Sequence, residues 1–211
     1  MVGQRIYFPE LDGLRFFAFL LIFIHHDILF LKIPYLKILS TNGWIGVYLF
    51  FSLSAFLLTK LLIAEYDKTG TISFKKFYIR RIFRIWPIYF LFIGFSVSLF
   101  LLLNGTLSNN IEVRIFGLFA FSDNIMSAIY GYNPLPYAGH LWTIAYEEQF
   151  YIFIPIVIFL LVRSSIKTKL ISLLSIFILF NAIRFIQIMN NVQHPAIWVL
   201  PISHFESTLL H

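Results

Sequence analysis

"LDGLRFFAFLLIFIHHDILF" (residues 11–30) decides how this chain is read. It is apolar and long enough for a bilayer, whose core takes roughly 20 mostly apolar residues as a helix. Yet it carries Arg15, His25, His26 and Asp27. An arginine at the bilayer centre costs at least about 2.5–3.5 kcal/mol on insertion scales. Ionisable groups that are tolerated there face a protein interior or a wet cavity.

Working outward, the same composition holds along the whole sequence. Of 211 residues, 59% are hydrophobic and 12% charged, against about 45–50% and about 25% in a soluble domain. The apolar excess is spread over the chain, so a signal peptide does not explain it. Five stretches are long enough to cross, near 14–32, 44–64, 82–103, 141–162 and 170–189. A shorter sixth, 113–129, contains Asp123 and Asn124. The predicted fold is all-α: a polytopic transmembrane helix bundle of about five full spans plus one interfacial or re-entrant helix. "IWVLPISHFESTLLH" (197–211) reads as the start of a further membrane segment, so residues 1–211 are expected to form the N-terminal part of a longer bundle.

Cysteine is absent, which excludes disulfides, thiolate nucleophiles and zinc–thiolate sites. No spacing among the histidines suggests a metal site. The formal net charge of +6 points to membrane orientation rather than to nucleic acid. Six basic residues, Lys68, Lys75, Lys76, Arg80, Arg81 and Arg84, crowd one segment. The positive-inside rule places that segment, and hence the N-terminus, in the cytoplasm. The basic loop at 163–169 shares that side only if 113–129 does not cross fully.

A helix turns about 100° and rises about 1.5 Å per residue. Arg15 and His26, eleven residues apart, therefore lie on one face, about 16.5 Å apart along the axis. Arg15 can snorkel to the cytoplasmic end; His26 cannot. His26 is either a structural histidine bonded to a neighbouring helix or a functional base. Gly43 and Gly46 permit close helix approach. Ser52 and Ser54 suit back-bonding better than nucleophilic attack. Arg81 and Arg84 are neighbours on a helix face. They read as a cytoplasmic anchor, with Trp86 in the aromatic belt, or as a phosphate clamp. Glu147 and Glu148 sit inside a span and need a partner or a proton. Tyr151 shares the face of Glu147, and Pro155 loosens the helix beyond it.

Four stretches carry a resemblance: "LDGLRFFAFLLIFIHH", "GWIGVYLFFSLSAFLL", "FYIRRIFRIWPIY" and "HLWTIAYEEQFYIFIP". In this order they resemble the membrane acyltransferase family 3, integral enzymes that O-acylate bacterial surface and exported carbohydrates. An arginine followed, ten residues intervening, by a histidine selects Arg15 and His26 over His25. The Arg-x-x-Arg motif selects Arg81 and Arg84. The Trp-Ser-Leu, Glu, Phe-Tyr, Pro signature selects Glu147. Tyr48, Ala55 and Asn42 depart from the residues the family often places there.

The resemblance implies about ten membrane helices and a multi-pass protein of the bacterial inner (plasma) membrane. It implies acyl-CoA, acetyl-CoA in particular, as donor, with no metal. It implies a hydroxyl of a carbohydrate or lipid-linked glycan as acceptor, with membrane lipids around the bundle. On that basis Arg81 and Arg84 hold the CoA phosphates. Arg15 positions the donor. His26 acts as general base, or carries the acyl group in a relay. Glu147 fixes the His26 tautomer or pairs with an arginine. From the residues alone, proton-coupled transport also suits membrane-embedded His, Arg and Glu.

Overall fold

The computed structural model of the protein describes residues 8–104, 109–132, 135, 137–192 and 195–200. Among these every regular element is a helix. The described residues divide into two compact units, one running up to Ala64 and the other starting at Glu65. Residues 201–211, most of the stretch read as the start of a further membrane segment, lie outside the described residues.

The first unit begins with α1 (Pro9–His26). Pro9 opens it, where a missing N–H costs nothing, and Glu10 and Asp12 complement the dipole of its first turn. The helix stops at Asp27, which turns extended (φ −100°, ψ 116°). Its carboxylate accepts from the Leu29 amide at 2.9 Å and caps the one-turn α2 (Ile28–Leu31). The first helix therefore covers 9–26, where a span over 14–32 was expected: an aspartate that can cap the next turn competes with helix continuation. Next come α3 (Lys37–Asn42) and α4 (Ile45–Thr69).

Gly43 and Gly46 let α1 lie against the α3–α4 corner. A Cβ on Gly46 would sit 2.5 Å from the Ala18 carbonyl oxygen and 2.9 Å from Ile22 Cγ1. One on Gly43 would run into the Leu21 carbonyl oxygen and approach His25 Cβ to 2.7 Å. Ten residues away on each helix, Phe8 meets Phe56 edge to face, as antiparallel neighbours would.

The second unit is built on α5 (Phe74–Asn104) and α8 (Trp142–Val162). They run antiparallel in contact: Phe74 packs on Phe159, and the Tyr78 hydroxyl donates to the Ile152 carbonyl at 2.9 Å. Between them in sequence, α6 (Asn109–Phe119) and α7 (Asp123–Tyr130) form a hairpin. The single interfacial helix expected at 113–129 is thus two helices. They break at Phe121, whose φ is +50°. A non-glycine residue rarely adopts that conformation. Here the ring stacks on Tyr89, centroids 4.7 Å apart, while the Tyr89 hydroxyl donates to the Leu118 carbonyl at 2.8 Å. Tyr89, Ile93, Ile111, Leu118, Leu135, Ala138 and Leu141 form the core beneath this turn.

The helix α9 (Ile166–Met189) starts with Ser165 accepting from the Thr168 amide and buries none of its residues. The short α10 (Ala196–Val199) follows. Four helices are long and apolar enough to cross a membrane: Ile45–Thr69, Phe74–Leu103, Gly139–Val162 and Ile166–Met189. They correspond to four of the five expected spans. The fifth, α1, carries Glu10, Asp12 and Arg15 within its 18 residues. The protein is a multi-pass helical membrane protein.

Candidate functional site

The first unit holds Arg15 and the two histidines. Arg15 is half-buried and pairs with Asp12, one turn earlier, at 3.2 Å. His26 closes α1 and is exposed. Its Nδ1 lies 2.9 Å from the Ile22 carbonyl oxygen. A carbonyl only accepts, so Nδ1 is the donor, and in the neutral ring Nε2 carries the lone pair. The group that holds Nδ1 is the helix's own backbone. His25 differs by one residue and about 100°. It is half-buried, and its Nδ1 donates to the Ser40 carbonyl at 2.7 Å, tying α1 to α3. The two rings meet edge to face at 5.3 Å. The neighbour-helix bond considered for His26 belongs to His25.

The second unit places the arginines and glutamates on the α5–α8 seam. The three arginines of one turn separate. Arg80 is exposed and faces Glu65 at 3.8 Å. Arg84 is exposed. Arg81 turns inward, its guanidinium 5.7 Å from the Tyr151 ring centre and 5.8 Å from that of Phe77, within cation–π range. Glu147 accepts from the Tyr151 hydroxyl at 2.8 Å. Arg81 and Arg84 lie close enough for their charges to act on it. One residue on, Glu148 faces Trp86 and feels the charge of Arg81. The Trp86 indole N–H is the hydrogen-bonding group that faces that carboxylate, in a contact looser than a standard hydrogen bond. That N–H is buried.

Behind the seam lies a polar network with no sequence signature. Arg114 and Asp123, both almost fully buried, pair at 2.9 Å across the α6–α7 hairpin. Arg114 also bonds the Ser127 hydroxyl. Burial pushes the Asp123 carboxyl up to about 6, against the pull of the Arg114 charge. Asn124 and Gln149 exchange amide hydrogen bonds at 3.0 and 2.9 Å, joining α7 to α8. Asn124 further donates to the Val199 carbonyl and Gln149 to that of Phe121. An alternation of apolar and polar letters gives no hint that residues 25 positions apart share these bonds.

The first unit presents an imidazole nitrogen and the second a basic, aromatic-lined helix seam. The family described as an acyltransferase domain, acyltransferase 3, matches residues 8–209. The "O-acetyltransferase OatA" of Staphylococcus aureus (strain NCTC 8325 / PS 47) is 34% identical over 163 residues, covering 74% of this chain and 26% of that protein. A "Putative peptidoglycan O-acetyltransferase", YrhL of Bacillus subtilis (strain 168), is 32% identical over 186 residues, covering 84% and 28%. A "Putative O-acetyltransferase" of Staphylococcus aureus (strain COL) is 37% identical over 167 residues, covering 72% and 25%. No solved structure matches. The chain spans about a quarter of the length of these curated relatives. With the family matched over all but the first seven and last two residues, this chain belongs to the acyltransferase 3 family.

Proposed function

We propose that the protein takes part in moving an acyl group, acetyl in the first instance, from cytoplasmic acyl-CoA to a hydroxyl of a cell-surface or exported carbohydrate. The observation that carries this is His26: an exposed imidazole whose Nδ1 is committed to Ile22, so that Nε2 is the basic nitrogen. In the proposed reaction Nε2 takes the acceptor hydroxyl proton as the oxygen attacks the thioester carbonyl. The C–S bond then breaks, the ester remains on the acceptor, and the CoA thiolate leaves with the proton held by the imidazolium. Guanidinium groups bind phosphate bidentately, which suits Arg81 and Arg84 to the donor's phosphates. Arg15 is assigned to donor positioning, and Glu147, clamped by Tyr151, to holding Arg81 in register.

The basic segment 68–84 supports a cytoplasmic N-terminus in a bacterial inner membrane. The relatives' names favour acetyl transfer over proton-coupled transport. The test uses the full chain in detergent, labelled acetyl-CoA and extracted cell-wall glycan. His26→Ala is expected to lower transfer by about 10²–10⁴-fold, the usual worth of a general base. His25→Ala should lower thermal stability more than transfer. Unimpaired transfer by a folded His26→Ala protein would remove the base from this scheme.

A further inference from the structure

Three helices of the second unit carry basic residues at one end. Phe74, which opens α5, packs on Phe159 near the end of α8, ring centres 5.6 Å apart. The Arg163 guanidinium, just past α8, lies 4.0 Å over the same Phe159 ring. Three residues later α9 begins at Ile166. Lys75, Lys76 and Arg163 thus flank one pair of rings, and Lys167 follows within a turn; all four are exposed. Segments 68–84 and 163–169 contain no acidic residue. Among the described residues none of the four makes an ion pair. A cation–π contact consumes no N–H of a guanidinium, so the donors of Arg163 stay available. An exposed apolar residue accompanies the charge on each helix: Ile79 three after Lys76, Leu160 three before Arg163, Leu170 three after Lys167. Residues three apart are neighbours on a helix face. Each lies on the span side of its cation, because α5 and α9 start at this end and α8 finishes there.

We propose that Lys75, Lys76, Arg163 and Lys167 form a docking surface for anionic phospholipid, with the phosphate head on the cations and the acyl chains along Ile79, Leu160 and Leu170. A free anion would use the charges and leave the apolar neighbours in water. A zwitterionic lipid would use the apolar residues and leave the charge excess uncompensated. An anionic amphiphile satisfies both. This is the end that the positive-inside rule assigns to the cytoplasm, where the leaflet is anionic. A basic residue near such a surface adds about fivefold to association. The surface shares no residue with the Arg15, His26, Arg81, Arg84 and Glu147 set, so it stands apart from the acyl-transfer reading.

The test titrates the full chain in nonionic detergent with phosphatidylglycerol or phosphatidylcholine of the same acyl chains and reads bound lipid by native mass spectrometry. The wild type should hold phosphatidylglycerol about 10- to 100-fold more tightly. A combined Lys75→Gln, Arg163→Gln, Lys167→Gln variant should bind both lipids alike. Its phosphatidylcholine affinity should match the wild type, which also reports that the variant folds. Equal affinities in the wild type, or a preference that survives in the variant, overturn the proposal. Displacement of phosphatidylglycerol by an equal concentration of glycerol 3-phosphate would show a free-anion site instead. Loss of CoA binding in the same variant would give these residues to the acyl donor, and that too overturns the lipid assignment.

Discussion

Gly43→Ala is the sharpest probe of how α1 is held. The added Cβ would lie 2.7 Å from His25 Cβ and 2.9 Å from the Leu39 carbonyl oxygen, and nearer still to that of Leu21. Ordinary contacts of this kind begin at 3.4 Å, so the His25 neighbour alone must yield 0.7 Å (3.4 − 2.7). Leu21 and His25 stand on α1 and Leu39 on α3, so relief on one side worsens the other. Moving His25 by that amount stretches its 2.7 Å bond to Ser40 to the limit of hydrogen bonding. Overpacking costs about 1–3 kcal/mol, and the lost bond about 0.5–1.5 kcal/mol. The expected total is about 1.5–4.5 kcal/mol. Gly13→Ala is the control, since nothing lies within 4 Å of its added Cβ. There, alanine in a helix should stabilise by about 0.5–1 kcal/mol. Thermal unfolding of the purified protein in detergent reads both. A Gly43→Ala protein as stable as wild type would mean that α1 does not approach α3 as described.

Two further outcomes concern the network behind the seam. The Asp123 carboxyl stands at about 6 when folded against 3.8 as a free group. Between those values the folded form holds a proton that the unfolded chain lacks, so this group's contribution to stability rises as pH falls through 6 and levels off below about 3.8. Asp123→Asn should abolish that slope in melting curves taken from pH 4 to 8. Asn124→Ala and Gln149→Ala should each cost about 1–3 kcal/mol, because each leaves its partner's amide unsatisfied. The double variant should cost less than the two together, and strict additivity would show that the amides do not bond each other.

Apolar run length revealed the spans at 45–69, 74–104, 142–162 and 166–189, but not where the helices begin. The helix α5 starts at Phe74, eight residues before its apolar window, because Lys75, Lys76 and Arg80 are good helix formers that hydropathy scores as loop. Asp27 misled in the opposite sense: its neighbours are apolar, and only its capping bond ends α1. Arg15, His26, Arg81, Arg84 and Glu147 were legible as charges in the wrong solvent. Their partners were not. The bond from His26 to Ile22 and that from Tyr151 to Glu147 follow from helical spacing once the helix is known. The contacts of Trp86 with Glu148, Arg114 with Asp123 and Asn124 with Gln149 depend on tertiary packing, which no periodicity encodes.

The adjacent histidines have a consequence for how this segment can change. One ring is bound to a neighbouring helix and the next to its own, and a helix separates them by about 100°. Inserting or deleting a single residue between Ala18 and His25 would swing the tether out of reach of Ser40 and turn the other imidazole into the packed interface. Outward-facing Phe19 and Phe23 carry no such restriction. Over time the outward positions of this stretch are free to drift in their letters while its length stays fixed.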